Sequence, residues 1–106
     1  MGHDIYAFRN KAHRDTGPLG PPPNYGAIAY LRRTAFDDLN DTLYRALNAG
    51  KHYCGVSGCG TEQYFTREEL TAAYKSLGDN PNYEREREFL TECLIYPGDG
   101  VLIHFG

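Results

Sequence analysis

The apolar positions of this chain fall into short runs of strand character separated by longer runs of helical period. Asp4-Ile-Tyr-Ala-Phe8 is apolar on both parities, with Ile5 and Ala7 against Tyr6 and Phe8. That pattern predicts a strand covered on both faces or paired centrally. In Gly26–Arg32, Ala27, Ala29 and Leu31 alternate with Ile28, Tyr30 and Arg32. Successive strands usually neighbour one another, so this one is expected antiparallel to the first. Val101–Phe105 is the most apolar run and is expected inside the sheet rather than at its edge.

Between them the period changes. Phe36, Leu39, Leu43 and Leu47 follow Thr34 at helical spacing, and Gly50 closes the run; Thr34 is the expected cap and Asp37 and Asp38 suit the first turn. Glu62–Phe65 reads as a short extended segment. Thr66-Arg-Glu-Glu69 is a capping box. It opens a second helix with Leu70, Ala73, Tyr74 and Leu77 on one face, stopped by Gly78. Asn80 and Pro81 open a third helix running to about Tyr96. Its buried stripe is Phe89, Leu90, Cys93 and Leu94, and Glu84–Glu88 reads as a solvated charged face. The predicted fold is α+β: a small, mainly antiparallel three-stranded sheet in the order β-β-α-α-α-β, with helices on one face.

Length and charge narrow the functions. The 106 residues suit a single domain spanning 1–106. Residues 9–26 hold Pro18, Pro21, Pro22 and Pro23, a long connector favouring extended backbone. Within it Pro22-Pro23-Asn24-Tyr25 spells a short pattern that WW domains bind. The formal net charge is −3. It divides as 7 − 5 = +2 over residues 1–53 and 4 − 9 = −5 over residues 54–106. An acidic total argues against nonspecific phosphate-backbone binding. The weaker nucleic-acid reading uses Arg9, Lys11, Arg14, Arg32 and Arg33 with Tyr25 and Tyr30. The Arg32-Arg33 pair reads either as a solvated strand end or as an anion contact beside the next helix. No run approaches the roughly 20 apolar residues that span a bilayer. The N-terminus lacks the pattern of a secretory signal, and Tyr6 stands where a myristoylation pattern wants Ser or Thr. The expectation is a cytoplasmic protein with its cysteines as thiols.

The densest chemistry lies in residues 50–61, Gly-Lys-His-Tyr-Cys-Gly-Val-Ser-Gly-Cys-Gly-Thr. His52, Cys54 and Cys59 are soft ligands on a flexible loop, a candidate zinc site completed by His104 or His3. The spacing lacks the Cys-x2-Cys half-sites of the strong zinc signatures. Either cysteine could serve as a nucleophile, but the loop leaves a helix C-terminus, whose dipole disfavours a thiolate. A Cys54–Cys59 disulfide is geometrically feasible, and a reducing compartment argues against it. Gly55-x2-Gly58-x-Gly60 resembles a phosphate cradle only superficially, because such loops follow a strand and open a helix. A glycine-rich turn with cysteines as small hydrophobes accounts for the same residues.

Nine tyrosines and no tryptophan are the oddest feature of the composition. A domain this small cannot bury so many phenols completely, since each hydroxyl needs a partner or water. Tyrosine is enriched at interfaces, so Tyr25 and Tyr30 are the candidate contact residues. The leading expectation is a noncatalytic module that binds a protein partner or forms a homodimer. The alternative is a metal- or small-ligand-binding protein, or an enzyme, using His52, Cys54 and Cys59.

Overall fold

A computed structural model describes residues 2–9, 27–96 and 98–106 of the chain. Strand β1 (Gly2–Phe8) pairs with β2 (Ala27–Thr34), and a short helix α1 (Thr42–Ala46) and a 3₁₀ turn (Gly50–His52) follow. Next come β3 (Thr61–Thr66), α2 (Arg67–Leu77), a second 3₁₀ turn (Pro81–Tyr83), α3 (Glu84–Ile95) and β4 (Gly100–Phe105). Among the described residues the sheet has four strands in the order β2-β1-β4-β3, and each neighbouring pair is antiparallel. The three-strand expectation is therefore corrected. The 62–65 segment is a full edge strand, paired from Thr61 against Phe105 to Thr66 against Gly100.

The first and last strands lie side by side at the centre of the sheet, the inner places expected from the two-sided apolarity of β1 and the strongly apolar run of β4. Ile5 stands opposite Phe105 and Ala7 opposite Ile103. These residues, with Ala29, Leu31, Phe65 and Val101, form one face of the sheet. Leu43 and Tyr44 from α1, Leu70, Ala73 and Leu77 from α2, and Phe89, Leu90 and Cys93 from α3 pack onto that face. Burial of each large apolar side chain here stabilises the fold by about 1.5–3 kcal/mol. Gly100 starts β4 where a Cβ would fall on the carbonyl oxygen of Phe65, so the close approach of β4 to β3 needs a residue without a side chain.

The α2 cap forms as expected. The Glu69 amide donates to Thr66 Oγ1 at 3.2 Å, and the Thr66 amide donates to Glu69 Oε1 at 3.0 Å. Asn80 Oδ1 accepts from the Asn82 amide at 2.9 Å, but the turn it caps is 3₁₀, with α3 beginning at Glu84.

Four side chains depart from the sequence pattern. The run after Thr34 is not one helix: β2 continues through Thr34, and Phe36 is 96 % exposed. The Leu39 amide donates to Asp37 Oδ1 at 2.8 Å, and Asn40 Nδ2 donates to the Ala35 carbonyl at 3.1 Å. Such local side-chain bonds offer the backbone a turn in place of a helix. Tyr74 is exposed rather than facing the core. Glu86, expected on a solvated face, is fully buried against Arg33. Arg33 is itself buried, so the Arg32-Arg33 pair is not a solvated strand end.

Candidate functional site

Two regions collect the chemistry that the sequence singled out. One is the 50–61 loop with the buried histidines beneath it. The other is the sheet face turned away from the helices.

The loop is organised by its ends. The Ala49 amide donates to the Tyr44 carbonyl at 2.7 Å, after Asn48 has taken a positive φ of 55°. The chain then turns through 50–52 and doubles back. The Cys59 amide donates to the His52 carbonyl at 3.0 Å, and the Cys54 amide to the Ser57 carbonyl at 2.9 Å. Tyr53 and Gly58 form an isolated antiparallel bridge. The Gly58 amide donates to the Gly106 carbonyl at 3.0 Å and the Gly60 amide to the Phe105 carbonyl at 2.8 Å, which lashes the loop to the end of β4. This contact is close enough that a Cβ on Gly58 would sit 2.7 Å from the backbone of Phe105.

Cys54 and Cys59 are joined as a disulfide, with Cα atoms 5.3 Å apart. The thiol expectation is corrected for this pair. Cys93 keeps its thiol, buried on α3, where burial pushes its pKa far up.

His52 is buried with its ring stacked on Phe105, centroids 4.7 Å apart. Its Nε2 lies 2.8 Å from Gln63 Oε1 and its Nδ1 lies 2.6 Å from Thr61 Oγ1. With the Gln63 carbonyl accepting, Nε2 carries the proton and Nδ1 accepts from the threonine hydroxyl. His3 is also buried, on β1. Its Nε2 donates to the Gly55 carbonyl at 2.9 Å, which leaves Nδ1 to accept from the Tyr44 hydroxyl at 2.7 Å in the neutral ring. Tyr53 stacks on His3 at 5.1 Å and donates to Asn40 Oδ1 at 3.0 Å. Burial, with Tyr53 and Asp4 nearby, raises the Tyr44 hydroxyl well above the usual phenol range. The sequence offered His3 only as a distant zinc ligand. The Tyr44–His3 pairing carried no local signal, because the residues are 41 positions apart.

The structure therefore gathers the zinc candidates without arraying them as ligands. The cysteine sulfurs bond each other, and both nitrogens of His52 and of His3 have protein partners. Among the described residues no group of three or more His, Cys, Asp or Glu side chains is placed to hold a metal ion. His104 does not join this cluster. It stands opposite Tyr6 and Glu62, on the other face of the sheet.

That second face carries Asp4, Tyr6, Tyr30, Arg32, Glu62, Tyr64, Leu102 and His104. At its centre Asp4 accepts from the Tyr30 hydroxyl at 2.6 Å, and from Arg32 Nη1 at 2.8 Å and 2.7 Å. Burial works to raise the Asp4 carboxyl, but the hydrogen bonds from Arg32 and Tyr30 and the Arg32 charge outweigh it and hold it below its ordinary value. Burial and the Asp4 carboxylate push the Tyr30 hydroxyl up to about 12. Tyr6 packs beside Tyr30 with centroids 4.9 Å apart. His104 Nδ1 lies 3.9 Å from Glu62 Oε2. Tyr64 is 46 % exposed.

Arg32 and Arg33 are thus engaged by Asp4, Glu86 and Asp37. Arg9 lies over the Tyr96 ring at 5.0 Å. Lys11, Arg14, Tyr25 and the Pro22–Tyr25 pattern lie outside the described residues. No helix among the described residues is long and apolar enough to cross a membrane. No family model, no curated protein and no solved structure matches the chain.

Proposed function

We propose that the protein is a noncatalytic interaction module, and that it binds a second copy of itself through the sheet face bearing Tyr30 and Tyr64. The observation that carries this reading is the anchoring of Tyr30. Its ring is part-exposed, yet its hydroxyl is tied to Asp4, which Arg32 grips in turn. A tyrosine fixed before contact loses little side-chain freedom on binding, so more of its contact energy appears as affinity.

Two further features support it. The buried apolar residues of α1, α2 and α3 belong to the cluster on the opposite face, so these helices spend their apolar stripes there. The Tyr30 face also carries both signs of charge, Asp4 and Glu62 beside Arg32. Across a twofold axis such a face can set its acidic groups against the basic groups of its copy. A cytoplasmic setting belongs to the same proposal, and no cofactor enters it. The zinc reading of His52, Cys54 and Cys59 would require the disulfide to open and His52 to give up Thr61 or Gln63.

Sedimentation velocity over a wide concentration range tests the proposal. The expected result is a monomer–dimer equilibrium weakened at least about tenfold by Tyr64→Ala or Tyr30→Phe, the loss of one interface contact. A strict monomer, or a dimer indifferent to both variants, would sink it.

A further inference from the structure

We propose that Cys54–Cys59 is an exchangeable disulfide, opened in the folded protein by a dithiol, and that its opening is registered at buried His3 through the Gly55 carbonyl. This inference is independent of the Tyr30 face, which lies on the other side of the sheet.

Cys54 and Cys59 are both exposed, and Gly55 and Val56 between them are exposed as well. An incoming thiolate can reach either sulfur without prior unfolding. Cys93 is buried and its thiol is raised by burial, so it does not compete.

The loop does not rely on the bond alone for its position. The Cys59–His52 backbone hydrogen bond, the Tyr53–Gly58 bridge and the ties of Gly58 and Gly60 to β4 fix the stems of the loop through the backbone and not through the sulfurs. The sulfurs therefore stay close after reduction, and reoxidation finds them already paired.

The chemistry balances as follows. A thiolate of the dithiol attacks one sulfur of the pair; a new S–S bond forms as Cys54–Cys59 breaks, and the other cysteine leaves as a thiolate and takes a proton. The second thiol of the dithiol then displaces the first cysteine and closes its own disulfide. Two electrons and two protons pass from the dithiol to the protein.

The consequence inside the protein runs through Gly55. That residue sits within the closed ring at φ +80°. Its carbonyl accepts the Nε2–H of His3, which lies 0 % exposed beneath the loop. Opening the ring frees the 55–57 tip, lengthening or breaking that bond, and the His3–Tyr44 pair below must readjust.

The test uses the intact folded chain. It is incubated with dithiothreitol without denaturant, alkylated and mapped by mass spectrometry, while the imidazole resonances of His3 are followed by NMR. The expected result is alkylation at Cys54 and Cys59 with Cys93 unmodified, and a His3 shift with His104 unmoved. Addition of oxidised glutathione should reverse it. The double variant Cys54→Ser, Cys59→Ser should show the shifted His3 resonance without reductant. A bond that opens only in denaturant would overturn the exchange, and an opened ring that leaves His3 unmoved would overturn its transmission.

Discussion

Arg33 on β2 and Glu86 on α3 meet in two parallel hydrogen bonds, Nε to Oε2 at 2.9 Å and Nη2 to Oε1 at 2.8 Å, with the carboxylate 0 % exposed. Asp37 Oδ2 accepts from Nη1 at 3.1 Å and the Asn82 carbonyl from Nη2 at 3.3 Å. One guanidinium thus joins the edge strand, the turn after it and the start of α3.

Glu86→Ala should cost about 3–5 kcal/mol, because it leaves a buried guanidinium without its main counterion. For a chain of this length that is a fall in Tm of at least about 12 °C. The double variant Arg33→Met, Glu86→Leu should recover most of the loss, since apolar replacement of a whole buried pair is often neutral. Calorimetry of the three proteins checks both statements. A Glu86→Ala protein within about 1 kcal/mol of the parent would refute the first.

Gly58→Ala should destabilise by about 1–3 kcal/mol through overpacking. Its Cβ would meet the backbone of Phe105 at 2.7 Å and the Tyr44 hydroxyl at 3.0 Å. Gly50→Ala is the control, since nothing lies within 4 Å of a Cβ there. Chemical denaturation should separate the two variants clearly; equal midpoints would mean that the loop yields freely.

Stability should decline at both ends of the pH scale through one cluster. Asp4 is held below its ordinary value in the fold, so its contribution is complete above the unfolded carboxyl pKa of about 3.9 and is lost as pH falls through the folded value. Tyr30 runs the other way. Its pKa rises from 10.0 to about 12, so its contribution is present below pH 10 and disappears as pH climbs toward 12. Denaturation midpoints across pH should show Asp4→Asn flattening the acid limb and Tyr30→Phe flattening the alkaline limb. Unchanged limbs in both variants would place the titrating groups elsewhere.

Much of the fold was legible because its signals are local. The Thr66–Glu69 box and the Asn80-Pro81 turn depend on residues a few positions apart, and both act near where the pattern put them. The two-sided apolarity of β1 and the strongly apolar run of β4 likewise announced their inner places. The errors have two physical roots, partners far away in the chain and, after Thr34, local side-chain bonds that compete with the helix. β3 presents Thr, Glu, Gln, Tyr, Phe and Thr, a mixture that reads as extended but counts as part of the sheet only once β4 lies beside it. The helix expected from Thr34 lost to Asp37, whose carboxylate serves both the Leu39 amide and Arg33. Glu86 read as solvated because its partner lies 53 positions away. At the 50–61 loop the sequence located the chemistry but not its form. His52, Cys54 and Cys59 were read as ligands, while the two residues that satisfy His52, Thr61 and Gln63, belong to the strand that was hardest to see.

The central pairing of β1 with β4 bears on the order of assembly. Among the described residues β3 pairs with the sheet solely across β4, so until residues 100–105 are in place the sheet is in two unconnected parts. The helices can gather early, but the zipping must wait for β4 to slide between two strands already made. Slow, all-at-once closure is the kinetic signature to expect of such a layout.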